Sequence, residues 1–536
     1  MNALTGTGRL FLLYLRRDRL VATCWVVFLP LLVVSQVAYY ETMLPTETDR
    51  VNFVAQVGGN AALTAFSGLL YGDALGNLAM WKIGDIAYTL VAFMAVLSVI
   101  RHTRAEEESG RAELVGSTVV GRFASLTASL LLAWAVSLAA GLLTALGMIG
   151  YGLDAAGSFT VALGMTGPGL VLAAVAGLAA QLTERARTAG AIAFTVLGLQ
   201  YLIRFTADGG GILWLRWLSP NGWSHLMRPF GGDLWWVFLL PVAACLAISA
   251  VAYRLAARRD LGAGVLQSRP GPAVAAPGLR SSPAMAWRLE RSQLLGWTGA
   301  YAGFSAITAG VANGIPEIAK QAGPQIEEFF RRYTASPDAD LSDTFIWMVL
   351  LSLAGIATLH PMLSAVRLRA EETSGRAELL LSTPVGRVRW AGSHLLFAAL
   401  GSLTTMTASG LAAGLVYGLT AGDVGAHLPR VLGAALSLVP AVWAVGAVGI
   451  LALGLMPRWA VAAVWVVFMF QQLFGEQIGP ALGIDYWIAN AVVPMHHIPK
   501  VLTGAAFDAT PLLVLTALAV ALGGVGLTAL KRRDLT

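Results

Sequence analysis

The chain of 536 residues is 57% hydrophobic and 12% charged, against roughly 25% charged in a soluble domain. That excludes a soluble globular protein and points to a polytopic membrane protein, in which apolar runs of about 20 residues cross the bilayer as helices. The net charge of +6 does not imply a nucleic-acid partner, because the basic residues flank apolar runs rather than forming a patch.

In chain order, residues 1–19 carry Arg9, Arg16, Arg17 and Arg19 and read as a basic, partly amphipathic segment lying along the membrane surface. The first span covers residues 20–40. It is long and lacks a small-residue cleavage pattern, so it does not read as a cleavable signal peptide. Cys24 falls in this run and Cys245 in a distant one, which gives no disulfide framework and reads as two small core residues. Residues 42–81 form a Gly-rich outer stretch. Further spans fall at 82–100, 124–153, 158–182, 188–205 and 234–253. Between the last two, residues 206–233 carry Trp214, Trp217, Trp223, Pro220 and Pro229, a segment that dips into the outer interface.

Residues 261–284 are rich in Gly and Pro and read as a linker. It separates a first six-helix half, residues 1–260 with its interfacial helix, from a second, residues 285–536. Spans of the second half fall at 294–315, 344–366, 391–419, 431–456, 459–475 and 511–530. An outer loop at 316–343, with Glu327, Glu328, Arg331 and Arg332, is expected to hold a helix. The expected fold is thus all-α, with about twelve transmembrane helices in two six-helix repeats.

The repeat is carried by one charged block. Residues 104–122 read RAEEESGRAELVGSTVVGR and residues 369–387 read RAEETSGRAELLLSTPVGR. The two match at all but four places, at an offset of 265. Weaker echoes agree: RRDRLVATCW at 16–25 aligns with RLERSQLLGW at 288–297, RRDL recurs at 258–261 and 532–535, Pro494 falls where Pro220 does, and Gln471 where Gln200 does. With the N-terminus inside and twelve spans, the inner segments hold 26 of the 36 Lys and Arg but 12 of the 30 Asp and Glu. This positive-inside bias puts both blocks and both termini in the cytoplasm, and six spans per half make the repeats parallel.

Each block reads as the end of a span, a turn at Gly110 or Gly375, and a short helix bearing Glu113 and Leu114, or Glu378 and Leu379. Glu107 and Arg111, like Glu372 and Arg376, have the spacing of a helical ion pair. Thr383 and Pro384 read as the cap and first residue of the next helix. Short helices with a Glu/Arg rim and a Leu centre suit docking into a groove on a soluble partner. A plain solvated loop would explain the arginines but not the glutamates, which contribute little to topology.

The pattern R-x-E-E-x-x-G-R-x-E-x-L-x-S-T-P-V-x-R after the second of six spans resembles the permease subunits of type-2 ABC exporters. The segment LSPNGWSHLMRPF resembles the fused-repeat subgroup that exports polyketide and tetronasin-type antibiotics and other drugs. The resemblance covers nearly the whole chain. It implies that the two blocks are coupling loops meeting two copies of a separate ATPase subunit, a homodimer given the near-identity of the loops. The docking residues it implies are Arg104, Glu106, Glu107, Gly110, Arg111, Glu113 and Leu114, with Arg369, Glu371, Glu372, Gly375, Arg376, Glu378 and Leu379. ATP and Mg would sit on that partner, since no lysine of this chain is followed by Ser or Thr as a phosphate-binding loop requires. No cofactor or metal is expected in this chain, and its other partners would be membrane lipid and a hydrophobic small molecule. The implied location is the plasma membrane, in bacteria the inner one. Two departures stand out: Val119 replaces the block's Pro384, and VVPMHHIP stands in the second half where SPNGW stands in the first.

Polar residues inside spans are costly and often functional, so Gln200, Gln471 and Gln472 are candidate pathway residues, with interhelical hydrogen bonding an equal reading. Phe93, Trp347, Phe468 and Phe470 are candidate walls of an apolar drug pocket, or ordinary packing. Arg204 and Glu476 either pair between the repeats or snorkel to the interface. Asp85, and His360 with Pro361, occur in one repeat only and read as locally satisfied. The topology alone also permits a proton-coupled twelve-helix secondary drug transporter. That needs a carboxylate deep in the bundle, and Asp85, Asp154 and Glu476 all fall near expected span ends.

Overall fold

The computed structural model describes residues 2–58, 61–260, 262–266, 273, 274, 276–316, 333–336, 339–474, 485, 488 and 490–533. Among the described residues all regular structure is helical. The chain divides into two compact units, Met1–Gly271 and Pro272–Thr536.

The first unit begins with α1 (Thr7–Met43), a single 37-residue helix. The basic segment and the first span are therefore one continuous helix, not a surface helix followed by a span. Leu10, Tyr14 and Asp18 are buried, and so are Leu29, Val33 and Val37. This i, i+4, i+8 spacing keeps one face of the helix inward on both sides of Pro30. The Gly-rich stretch at 42–81 contains α2 (Glu47–Val57) and α3 (Ala61–Ser67). A reciprocal capping box starts α2: Asp49 N–H donates to Thr46 Oγ1 at 3.1 Å, and Thr46 N–H to the Asp49 carboxylate at 3.2 Å.

Then follow α4 (Leu75–His102), α5 (Arg104–Glu108), α6 (Arg111–Gly116), α7 (Ala124–Gly150), α8 (Ala155–Leu182) and α9 (Ala186–Gly209). The unit closes with α10 (Pro220–Leu226) and α11 (Leu239–Ala256). The hub is α8, which packs on α4, α7, α9 and α11. Small residues allow the close approach. A Cβ on Gly141 would lie 2.6 Å from the Ala162 carbonyl oxygen, and one on Gly169 2.3 Å from Ser137 Oγ.

The second unit contains α12 (Ser282–Gly310), α13 (Leu341–Ala357), α14 (Leu359–Thr373), α15 (Arg376–Leu381), α16 (Arg387–Ala421), α17 (Val424–Ser437), α18 (Val439–Leu455), α19 (Ala460–Leu473) and α20 (Thr510–Arg532). Here α16 packs on α12 and α17, and α20 on α18. A Cβ on Gly454 would meet the Gly526 carbonyl oxygen at 2.3 Å, so α18 and α20 are in backbone contact. The span at 344–366 is broken at Thr358, between α13 and α14. Pro361 stands three residues later, with no N–H to return to Ala357.

A helix stands at each of the twelve expected spans, but ten among the described residues are long and apolar enough to cross a membrane. The exceptions are α12, whose Gly, Ser and Thr residues dilute its hydropathy, and α19, whose described part has 14 residues. Most of the expected helical loop, including Glu327, Glu328, Arg331 and Arg332, lies outside the described residues, as does Glu476.

Candidate functional site

Each charged block has a helical segment (α5 in the first, the end of α14 in the second) joined to a short helix (α6 or α15) by a glycine in the left-handed region, with φ of 74° at Gly110 and 71° at Gly375. Glycine reaches that region without the Cβ penalty other residues meet. The turn breaks the helix between Glu107 and Arg111, so the expected ion pair at four-residue spacing does not form. Arg111 instead donates to Ser109 Oγ at 3.0 Å and faces Glu106 at 3.4 Å. Arg376 likewise donates to Ser374 Oγ, at 2.9 Å. The following helix of the second unit starts at Arg387, with Gly386 as its cap. Thr383 and Pro384 lie in the connection, which corrects the expected helix start.

The block residues divide by exposure. Arg104, Glu106, Glu371 and Glu372 are buried, and the side chains of Glu107 and Arg369 are 10% and 15% exposed. These six residues form internal ion pairs and present no rim to a partner. Arg17 pairs with Glu106 at 2.9 Å and Arg104 with Glu107 at 2.8 Å. In the second unit Arg369 pairs with Glu372 at 3.2 Å and Arg367 with Glu371 at 3.6 Å. Arg111 and Glu113 are exposed, as are Arg376 and Glu378. At the tips, Leu114 is 72% and Leu379 75% exposed.

Behind the first block, a cavity of about 420 Å³ is lined by Tyr14, Arg17, Glu106, Val115, Arg122 and Arg259 among others. The N-terminus is clipped to the same region. Gly121 N–H donates to the Thr5 carbonyl at 2.8 Å, and Phe123 N–H to Ala3 at 2.9 Å.

Beside each block the first helix of the unit supplies a buried acid from the aligned RRDRLVATCW and RLERSQLLGW segments. Asp18 pairs with His102 at 2.6 Å and Arg101 at 3.0 Å, and the His102 ring stacks on Tyr14 at 4.3 Å. Glu290 pairs with Arg367, the counterpart of His102, at 3.1 Å, and with His394 at 3.3 Å. The plan is shared and the partner differs, His102 in one unit and Arg367 in the other.

A family model described as the multidrug efflux system permease Rv1217c, C-terminal domain, matches residues 279–531. The chain is also 40% identical over 536 residues to the multidrug efflux system permease protein Rv1217c of Mycobacterium tuberculosis (strain ATCC 25618 / H37Rv). That match covers 99% of this chain and 96% of the relative. The chain belongs to the multidrug efflux system permease family. This bears out the resemblance to exporter permeases that the repeated block carried.

The permease's candidate pathway residues separate once their surroundings are seen. Gln200 is buried, and its amide donates to Asn221 Oδ1 at 3.1 Å. Gln471 donates to the Gly355 carbonyl at 3.1 Å and Thr358 Oγ1 at 2.6 Å, which serves polar groups at the break between α13 and α14. Gln472 lies against the same Gly355, where a Cβ would come within 2.4 Å of its Oε1. Gln200 and Gln471 thus hold helices and loops together within their own units. Trp347 is fully buried in the apolar core of the second unit, and Phe468 is buried beside Met362, Val445 and Val464. Each fills space between packed helices. Phe93 is 37% exposed and packs 5.0 Å from Phe194, and Phe470 stacks on Phe474 at 4.5 Å.

Arg204 does not snorkel to the interface. It is fully buried and meets Asp85 at 2.9 Å and Asp208 at 3.3 Å. Asp208 in turn pairs with Arg216. Asp85 also accepts from Asn221 at 3.3 Å and lies 3.3 Å from His225. Asp85 thus sits well inside α4 rather than at a span end, and a cation neutralises it there. His225 and Asn221 come from α10, where Ser219 caps the helix by accepting from Gly222 N–H at 3.2 Å. The Pro-Trp segment is therefore a packed plug on α4, α8 and α9, with Phe230 seated on Gly76 and Gly157. The Arg204 and Asp208 spacing of four was readable in the sequence; the Asp85 partnership, 119 residues away, was not.

Proposed function

We propose that this permease is the membrane subunit of an ATP-driven exporter, and that two separate ATPase subunits, a homodimer, dock on its two blocks. Leu114 and Arg111 with Glu113, and Leu379 and Arg376 with Glu378, make the contact. Gly110 and Gly375 turn the chain to present them, and the buried ion pairs of Arg104, Glu106, Glu107, Arg369, Glu371 and Glu372 fix the turn from behind. The observation that carries this reading is the pair of exposed leucines on short, braced helices at the same place in both units. Covering a leucine of this kind contributes about 1.5–3 kcal/mol.

ATP and Mg belong to the partner subunits, so this chain is a transporter component rather than an enzyme. The blocks and both termini face the cytoplasm, and the membrane is the bacterial plasma membrane. The cargo is hydrophobic or amphipathic compounds such as antibiotics, which agrees with the multidrug efflux named for the Mycobacterium tuberculosis relative. The two halves of the chain, one on each side of the Gly/Pro linker, each bring one docking block.

The test is reconstitution of the permease with the ATPase subunit that co-purifies with it. Drug movement that requires ATP, and fails without that subunit, supports the proposal. Drug efflux by the purified chain alone, driven by a proton gradient, overturns it.

A further inference from the structure

Each block grips one further residue that the docking account does not use. In the first unit, the Arg259 guanidinium donates to both carboxylate oxygens of Glu107, at 2.5 and 2.8 Å. The last residue of the same block, Arg122, donates to the carbonyls of Ala256 at 3.1 Å and Arg259 at 3.0 Å. In the second unit, Arg533 donates to Glu372 at 2.6 Å, and the last residue of that block, Arg387, donates to the Arg533 carbonyl. Arg259 and Arg533 are the second arginines of the two RRDL endings. Arg259 lies three residues past α11 and Arg533 one residue past α20, the last long helices of their units. One residue is thus held at its side chain by the fourth residue of the block and at its backbone by the nineteenth, and this happens twice in separately folded units.

The chemistry suits a firm joint. A planar guanidinium on a carboxylate is charge-assisted and directional, and lysine does not reproduce the two-pronged geometry. The side chains of Arg259 and Arg533 are 10% and 14% exposed, so water competes weakly. Arg122 and Arg387 occupy carbonyls that a helix C-terminus leaves without intrahelical donors. Each joined helix packs chiefly on one other helix of its unit. The main helical neighbour of α11 is α8, and that of α20 is α18.

We infer that Arg259 and Arg533 are positioning residues that lock each block to the last helix of its unit, so that a displacement of the block moves that helix with it. The joint depends on the proposed function only for what pushes the block.

The test uses the full-length permease in lipid nanodiscs, with Cys24 and Cys245 replaced by serine and alanine. Spin labels at Ser117→Cys, just after α6, and Leu246→Cys, on α11, report the distance by electron-electron dipolar coupling. The expected result is a narrow distribution that widens at least twofold in Arg259→Glu and narrows again in Arg259→Glu/Glu107→Arg. An unchanged width in Arg259→Glu overturns the joint. A second arm compares drug moved per ATP hydrolysed, in unlabelled transporter at equal amounts of chain. A fall of at least fivefold in Arg259→Glu or Arg533→Glu, recovered by the matching exchange with Glu107 or Glu372, is expected. A widened distribution with an unchanged ratio reduces the joint to a staple and overturns its positioning role. If no ATPase joins the complex, the proposed function fails while the label distances still decide the joint.

Discussion

Arg204 and Asp85 meet at 2.9 Å, from helices 119 residues apart, with the arginine side chain wholly buried. The counterpart of Asp85 at the offset of 265 is Leu350, which sits in the apolar core of the second unit. One unit therefore fills this position with an ion pair and the other with hydrocarbon. Removing one charge strands the other, at a cost of about 3–5 kcal/mol, whereas replacing both by apolar groups of similar volume is often neutral. Asp85→Ala is expected to lower the melting midpoint of the detergent-solubilised permease sharply, and Asp85→Leu/Arg204→Met much less. Equal losses would show that the wider network to Asp208 and His225 matters more than the pair.

The Pro-Trp plug gives a second expectation. A Cβ on Gly157 would lie 2.2 Å, and one on Gly76 2.4 Å, from the ring of Phe230. Phe230→Ala leaves a cavity worth about 3–5 kcal/mol. Gly157→Ala forces the ring aside. The double variant Phe230→Ala/Gly157→Ala should be less destabilised than the two single costs summed, because the added methyl enters the vacated space. Thermal melts of the four proteins measure this coupling.

At the block turns, Gly110 and Gly375 have nothing within 4 Å of an added Cβ, so the cost of alanine there is conformational alone. It should be about 1–2 kcal/mol for each left-handed residue. Gly110→Asn should cost less than Gly110→Ala, since asparagine tolerates this region. Proteolysis rates at the blocks in membrane vesicles would rank the variants.

The positions of the spans were legible because an apolar run long enough to cross a bilayer has few other uses, and the glycine turn was legible because Gly110 and Gly375 interrupt good helix formers. The partners inside the block were not. Local spacing nominated Arg111 for Glu107, but the turn at Gly110 carries Arg111 away and Arg259, 152 residues on, takes its place. Trp347 and Phe468 read equally as pocket walls or as ordinary packing, because composition cannot say which face of an apolar helix is covered. Arg204 read as interfacial because its acid lies on another helix. Exposure, which separates Leu114 from Glu106, arises only once α1 and α11 pack around the block.

The central claim is that Leu114 and Leu379 are the points at which a motor subunit grips this permease. Co-purification of an ATPase subunit with wild type and with Leu114→Asp/Leu379→Asp measures it most directly, with the membrane content of the chain as control. The account predicts that the chain inserts at wild-type levels while retained ATPase falls at least tenfold, and that Glu107→Gln, which loosens the brace without altering the tips, retains more. Full retention of the ATPase by the double aspartate variant would contradict it.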